Sequence, residues 1–392
     1  MFSQNSNTQS ILEEDTFSRR VIVTLGVIAL LRIGISIPVP GVEQASLALE
    51  IKNQTFLNAF SLFSQGRFFV LGLFSLGILP NINASLAMQF LTFVLPFLQK
   101  LQKLGGTVGQ TKITRYTRLL TLVIALQYSI VISLSIEPFR FKTSFLDTFE
   151  LVLILTTGSL ITMWLSEFIT QYGFGKGASL VIFVNIISSV PFLLSQIQTP
   201  LVTLFFISII LICIISVQES YARIPLVSAK ELLSSSESRP DFSYIPFTLN
   251  PGGVIPIIFA SSISTFPGLG FLNKLLLGNS IFGLVLFFVL ILSFNILYSS
   301  IILNPIEIAE KLKESGCNIV DQRPGLMTVK YLKQVFSRLG VLGGIFLASI
   351  TIFSNLFLPG LGATSLIILV GVAIDLNKQL RAIFISNYYQ GL

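Results

Sequence analysis

The sequence predicts an all-α polytopic membrane protein with ten transmembrane helices. Hydrophobic residues make up 53% of the 392 residues and charged residues only 11%, and the mean hydropathy is +0.83. A soluble domain carries roughly 25% charged residues. The apolar residues fall into runs of about 17–25 residues, the length that a helix needs to cross a bilayer. The ten predicted spans are residues 20–37, 75–96, 115–136, 148–168, 178–195, 200–219, 252–269, 280–303, 339–358 and 361–378.

Residues 69–96 combine a broken start with a full apolar span. Gly72, Gly77 and Pro80 interrupt the start, since glycine and proline punctuate helices. Residues 76–95 then supply the roughly 20 apolar residues of a spanning helix. Because lipid cannot satisfy irregular backbone, the broken start should be buried against protein or should line a cavity. The pattern fits a re-entrant segment beside a pore, and it equally fits an outer loop packed on the helix bundle.

The basic residues are distributed asymmetrically across the predicted membrane. With ten spans, 19 of the 25 lysine and arginine residues fall on the side of the termini and five fall on the other side, while Arg32 lies within the first span. The positive-inside rule therefore places both termini on the cytosolic side or its organellar equivalent. The asymmetry also supports the span count, because one missed span would invert every later loop.

Two loops on the basic side, residues 219–251 and 304–338, are too long for simple turns. Both mix basic with apolar residues. A solvated loop would account for the charge alone. Docking of an acidic protein, or of ribosomal RNA through its phosphates, would account for the length as well. We therefore favour docking.

The ionisable residues argue against two classes of function. The 18 acidic residues lie in loops or near span ends, so no midplane carboxylate offers a coupling-ion site to a secondary transporter. The chain has no histidine, which excludes Ser-His-Asp, Cys-His and histidine-ligated zinc chemistry. The glycine-rich stretches 105–109 and 173–177 lack the spacing of a nucleotide-binding loop. We expect no catalytic residue, metal or cofactor, and a multispan solute carrier remains the alternative.

Short motifs recur in a fixed order over nearly the whole chain. They are RIG at 32–34, IPVPG at 37–41, LGILP at 76–80, TRYTR at 114–118, MWLSE at 163–167, GVIPIIFASS at 253–262, NP at 304–305, RPG at 323–325 and GATSLII at 362–368. Together they closely resemble the SecY family, the channel subunits of the protein-conducting translocon. The resemblance implies two pseudo-symmetric, inverted five-helix halves. The implied segments are an N-terminal polar segment at 1–19, an N-terminal half at 20–195, a C-terminal half at 196–378 and a short C-terminal tail at 379–392.

The resemblance also implies the working parts of a gated channel. Apolar side chains form a pore ring that closes around an extended polypeptide, and a short re-entrant plug helix at about 56–66 blocks the outer funnel. A lateral gate between spans 2–3 and 7–8 opens toward lipid, and two loop arginines dock partners. By motif match, the ring is Ile78, Ile82, Ile182, Ile258 and Ile368; the plug includes Phe56, Leu57, Phe60, Leu62 and Phe63; the gate includes Gln89, Ser261, Ser262 and Phe266; the docking residues are Arg223 and Arg323.

The resemblance to this family of channels also implies a set of partners. They are a SecE-type small subunit, the SecA motor ATPase, the ribosome, signal-bearing preproteins and membrane lipid, with no specific nucleic-acid sequence recognised. A SecG-type third subunit is left open. The motor supplies the energy, which fits the missing nucleotide-binding motif.

Three residues depart from the family pattern. Asn81 replaces an expected tyrosine, Lys176 stands where the family usually has asparagine, and Ala222 stands where many members have a second arginine, which weakens the inner docking loop. The histidine-free composition suggests an AT-biased genome and resembles a plastid-encoded member. That places the chain in the thylakoid membrane of the chloroplast with both termini stromal, and a bacterial plasma-membrane member with cytoplasmic termini is the alternative.

Overall fold

The computed structural model describes residues 4–44, 71–104, 106–141, 144–195, 200–228, 244–265, 281–320, 322–323, 325–357 and 363–390. Within these ranges the chain forms twelve α-helices and one three-stranded sheet. The helices are α1 (Gln4–Ser36), α2 (Leu79–Val94), α3 (Pro96–Leu104), α4 (Gly106–Ser135), α5 (Phe145–Tyr172), α6 (Gly177–Ser195), α7 (Pro200–Glu219), α8 (Ile255–Thr265), α9 (Ile281–Ile302), α10 (Pro305–Glu314), α11 (Leu326–Phe357) and α12 (Ala363–Gln390).

Every predicted span overlaps one of these helices. In the described ranges, four helical stretches are long and apolar enough to cross a membrane unaided: Gly106–Ser135, Phe145–Tyr172, Phe282–Glu314 and Leu326–Ser354. The pair α2 and α3 would make a fifth. The chain is therefore a mostly helical protein with several membrane-spanning candidates, and the count of ten spans stays a prediction.

The helix pair α2 and α3 is bent by 104° at a single break. Leu95 lies in the break with an extended backbone (φ −93°, ψ 112°), and Pro96 begins the next helix. A residue before proline is pushed out of the helical region, because the proline ring collides with its backbone and Cβ. The local sequence thus fixes where the apolar segment turns.

Several helices continue beyond the apolar runs. The first helix already includes residues of the polar segment 1–19, α4 begins before residue 115, and α11 begins before residue 339. The last helix runs to Gln390, so the segment 379–392 is largely helical. Hydropathy marks the part of a helix that suits lipid, but polar residues with good helix propensity extend the same helix into water.

The all-α class is wrong for the two long loops on the basic side. They contribute β1 (Tyr221–Ser228), β2 (Tyr244–Thr248) and β3 (Cys317–Ile319), which form an antiparallel sheet in the order β2-β1-β3. On the central strand, buried Ile224 and Leu226 alternate with exposed Arg223 and Pro225. This alternation is the signature of a half-buried strand, and apolar-run length does not detect it.

The chain divides into two compact units. One comprises Met1–Gln198, Ser264–Lys274 and Ile368–Leu392, and the other comprises Thr199–Ile263 and Leu275–Ile367. One core of the first unit joins α4 and α5 to residues 39–42 and to the segment that leads into α2. The inverted five-helix halves at 20–195 and 196–378 stay predictions.

Candidate functional site

The broken start predicted before α2 is a non-helical segment, residues 71–78, which we call the entry segment. Leu71 is fully buried, and its carbonyl oxygen accepts a hydrogen bond from the backbone N–H of Val39 at 2.8 Å. At the other end, the Thr162 hydroxyl donates to the carbonyl oxygen of Gly77 at 2.8 Å. Neighbouring protein groups thus satisfy irregular backbone that lipid could not satisfy. The segment is buried against protein, as the sequence predicts.

Two glycines allow this close packing. A Cβ added at Gly72 would lie 2.0 Å from the backbone oxygen of Ile35 in α1, and one added at Gly158 in α5 would lie 2.0 Å from that of Leu73. Real Cβ atoms do not approach a carbonyl oxygen so closely. The entry segment is therefore held between α1 and α5 at backbone contact distance, and neither glycine tolerates a side chain.

The first turn of α2 fixes two of the predicted ring residues. Gly77 has φ +55°, a left-handed conformation that glycine adopts without strain. Pro80 occupies the first turn, where its missing N–H costs nothing. The N–H of Ile82 donates to the carbonyl oxygen of Ile78 at 3.1 Å. One helical turn therefore stacks Ile78 and Ile82 on the same face, as their spacing of four predicts.

Three of the five predicted ring residues lie in one apolar cluster of the first unit. Ile78 is 4% exposed, and Ile82 and Ile182 are half-buried against the same core. The buried residues around them come from α1, α5 and α6: Val27, Leu31, Leu165, Ile169, Leu180 and Val181. The Arg32 guanidinium also donates to the carbonyl oxygen of Val184, which ties α1 to α6. The fold thus gathers residues that are about a hundred positions apart in the chain.

The remaining ring residues are buried too. Ile258 is 8% exposed in α8 of the second unit, and Ile368 is 4% exposed in α12 at the start of the last segment of the first unit. Their closure with the other three isoleucines into one ring stays a prediction.

The structure describes three of the four predicted gate residues and none of the predicted plug. Ser261 and Ser262 are buried in α8, and Gln89 is exposed on α2. Phe266 lies outside the described residues. So do the plug at about 56–66 and its residues Phe56, Leu57, Phe60, Leu62 and Phe63. The gate and the plug stay predictions.

The described parts of the two predicted docking loops form one folded body, which we call the docking module: residues 220–228, 244–249, 304–320, 322–323 and 325–339. Its core includes buried residues from all three strands, α10 and the start of α11. The rings of Phe247 on β2 and Phe336 on α11 lie 5.0 Å apart between centroids. A shared core means that partners would meet a shaped surface here rather than two separate solvated loops.

Both predicted docking arginines are exposed on this module. Arg223 lies on β1, where its Nη2 donates to the Tyr221 hydroxyl at 3.1 Å and that bond raises the pKa of Arg223. Arg323 precedes α11, and its carbonyl oxygen accepts a hydrogen bond from the Thr328 hydroxyl at 2.9 Å. Sequence motifs identified these residues, but the strand that carries Arg223 and the aromatic residues beside it were missed.

The three departures from the family pattern have structural partners. Lys176 forms an ion pair with Asp375 of α12 at 3.5 Å. The side-chain oxygen of Asn81 accepts from the Thr121 hydroxyl at 3.3 Å, linking α2 to α4. Ala222 is partly buried against the core of the docking module. At position 222 this chain therefore has no second cation beside Arg223.

The chain matches one protein family along most of its length. The family model described as SecY matches residues 72–377. The protein translocase subunit SecY of Pyropia yezoensis is 42% identical, with 97% of this chain and 99% of the relative covered. The protein of the same name from a Synechocystis strain is 38% identical, with coverages of 95% and 93%.

Solved structures show the same fold. One described as "The structure of a protein conducting channel" matches with a TM-score of 0.68 at 15% identity, covering 95% of this chain and 93% of that one. Sec61 in the canine ribosome-channel complex matches with a TM-score of 0.63 at 14% identity and the same coverages. Structural matches at such low identity support the fold, while the sequence matches above 30% decide the family. This chain belongs to the SecY family.

Proposed function

We propose that this chain is the central channel-forming subunit of a Sec protein translocase. Its membership of the SecY family carries the proposal, because the relatives that it matches end to end are named protein translocase subunits. In this role the chain passes unfolded preproteins across the membrane and releases membrane spans sideways into lipid. It performs no chemistry itself, and a partner supplies the energy.

The apolar cluster around Ile78, Ile82 and Ile182 supports an isoleucine-ringed pore completed by Ile258 and Ile368. A narrow apolar passage can close by excluding water. Isoleucine is stiff about its first side-chain torsion, so a ring of such residues can surround an extended chain without offering it a hydrogen bond. The lateral gate lies at Gln89, Ser261, Ser262 and Phe266, and residues 56–66 form the plug.

The basic docking module supports binding of a ribosome or of the SecA motor through Arg223 and Arg323. Structural neighbours include channels described as bound to ribosomes. A SecE-type subunit completes the assembly, and a SecG-type subunit is left open. The relatives from red algae support a plastid setting, with the chain in the thylakoid membrane and both termini in the stroma. A bacterial plasma membrane is the alternative.

Reconstitution tests the transport function directly. Liposomes that contain the chain and a SecE-type subunit are mixed with SecA, ATP and a labelled signal-bearing preprotein, and protease-protected preprotein is measured. We expect protection that requires both the chain and the signal. Liposomes that take up a small solute but protect no preprotein would indicate a solute carrier instead of a protein-conducting channel.

A further inference from the structure

The β1–β2 ribbon of the docking module has one buried and one exposed face. Ile224, Leu226 and Phe247 point into the module core. The register pairs Tyr221 with Thr248, Arg223 with Pro246 and Pro225 with Tyr244. Since side chains alternate along a strand, these six residues share the opposite face. All six are exposed: Tyr221, Arg223, Pro225, Tyr244, Pro246 and Thr248.

The single cation of this face lies beside two aromatic rings. The central carbon of the Arg223 guanidinium is 5.2 Å from the ring centroid of Tyr221 and 5.0 Å from that of Tyr244. Both distances fall within the range of cation–π attraction. The Tyr221 hydroxyl also accepts the hydrogen bond from Nη2 at 3.1 Å. Two rings and one hydrogen bond therefore restrict the orientation of a side chain that is otherwise flexible.

The restricted guanidinium still has donors to offer. Its Nε and Nη1 make no hydrogen bond within the part of the chain that the structure describes. A guanidinium edge is planar and matches two oxygens of a phosphate at once, unlike the point charge of a lysine. Holding that edge in place before binding lowers the entropy that docking would otherwise lose.

We propose that Tyr221 and Tyr244 are positioning residues that hold Arg223 ready for a backbone phosphate of ribosomal RNA. The inference rests on the proposed docking role of Arg223. RNA fits this surface better than an acidic protein does, because closely spaced backbone phosphates suit a planar guanidinium edge set in a module that carries further exposed cations.

The charge of the surrounding module agrees with a polyanionic partner. Residues 304–338 contain six basic residues and four acidic ones. The basic residues are Lys311, Lys313, Arg323, Lys330, Lys333 and Arg338, and the acidic ones are Glu307, Glu310, Glu314 and Asp321. Only Lys311 is paired with one of these carboxylates, Glu307, among the described ion pairs. The excess of positive charge would attract RNA, and that attraction should weaken with salt.

The experiment measures binding of bacterial ribosomes to proteoliposomes that hold the chain and its SecE-type subunit. Variants are Arg223→Ala, Tyr244→Val and Tyr221→Val, each alone and with Arg223→Ala. Valine keeps the preference for a strand. Tyr244→Phe and Tyr221→Phe are the conservative variants, and Thr157→Val, at an exposed position of α5 outside the docking module, is the control. Binding of SecA is measured in parallel.

Removing either ring should weaken ribosome binding about two- to fivefold, which is the range expected for one exposed cation–π contact. Tyr244→Phe should restore wild-type binding, and Tyr221→Phe should retain part of the loss because the hydrogen bond is gone. In the Arg223→Ala background the tyrosine substitutions should have no further effect, since the tyrosines act through the guanidinium.

Different outcomes overturn different parts of the proposal. Equal losses from the valine variants with and without Arg223 would mean that the rings contact the partner themselves. Full binding by both valine variants, with a loss in Arg223→Ala, would remove the positioning role but leave the docking role intact. Wild-type binding by Arg223→Ala would overturn both, and losses confined to SecA would overturn the assignment to RNA. Preprotein import by the same liposomes tests the channel function separately.

Discussion

The Asn295 side chain donates from Nδ2 to the backbone carbonyl oxygen of Gly340 at 2.6 Å. Asn295 is fully buried in α9, and Gly340 lies in α11. A Cβ added at Gly340 would come within 3.2 Å of Ser299, so the glycine lets the two helices approach. Small residues and polar side chains join membrane helices in this way, since burying apolar surface offers no advantage between helices in lipid.

Replacing Asn295 by leucine should weaken the packing of α9 on α11. Leucine has as many side-chain heavy atoms as asparagine but is larger, and it removes the donor to Gly340, so we expect a loss of about 1–2 kcal/mol of unfolding free energy. The measurement is the thermal unfolding midpoint of the purified complex in mild detergent. Ser293→Ala is the control, because Ser293 is exposed on the same helix and its hydroxyl donates to the carbonyl oxygen of Leu290 in that helix. Equal midpoints for the two variants would show that the bond contributes nothing.

Polar substitution in the proposed pore ring should loosen the closed channel. Ile258→Asn and Ile368→Asn each place an amide at a buried apolar position, and we expect it to hydrate the constriction. Import of preproteins with defective signals should rise several-fold in the reconstituted assay. Ile212→Asn is the control, since Ile212 is 64% exposed on α7. If both ring variants keep wild-type signal selectivity, the ring is wrongly assigned.

A methyl group added at Gly158 should disrupt the packing of the entry segment against α5. The new Cβ would lie 2.0 Å from the carbonyl oxygen of Leu73, so the backbone must move. Overpacking of this kind lowers the free energy of unfolding by about 1–3 kcal/mol. Gly158→Ala should therefore lower the unfolding midpoint in detergent. Gly26→Ala in α1 is the matched control: nothing lies within 4 Å of its added Cβ, and alanine favours a helix. A midpoint for Gly158→Ala at or above that of Gly26→Ala would contradict the packing.

Truncating Phe336 should loosen the docking module. Phe336 is 4% exposed and packs on Phe247, and such truncations cost about 3–5 kcal/mol. Phe336→Ala should speed amide hydrogen exchange in β1 and β2 and weaken ribosome binding. Leu342→Ala lies on the same helix outside the docking module, at a position 54% exposed, and should change neither. Unchanged exchange in Phe336→Ala would mean that the strands are held without this core.

Much of the fold follows from local sequence. Apolar run length located a helix at each predicted span, and Gly72, Gly77 and Pro80 marked the break before α2. Run length did not reveal the strands, because β1 alternates apolar with exposed residues instead of forming a run. Motif order identified the family, but a motif assigns a residue to a role without showing which neighbours hold it there.

The sequence by itself determined that the chain is a membrane protein of many helices, where most helices lie, and which family it belongs to. These properties depend on composition and on short motifs, and neither requires knowledge of contacts between distant segments. Only the tertiary structure decided that the entry segment is seated between α1 and α5, and that two distant loops share one core. It also decided that Arg223 lies beside the rings of Tyr221 and Tyr244. Such relationships depend on strand register and backbone approach between segments far apart in the chain, and local pattern does not specify them.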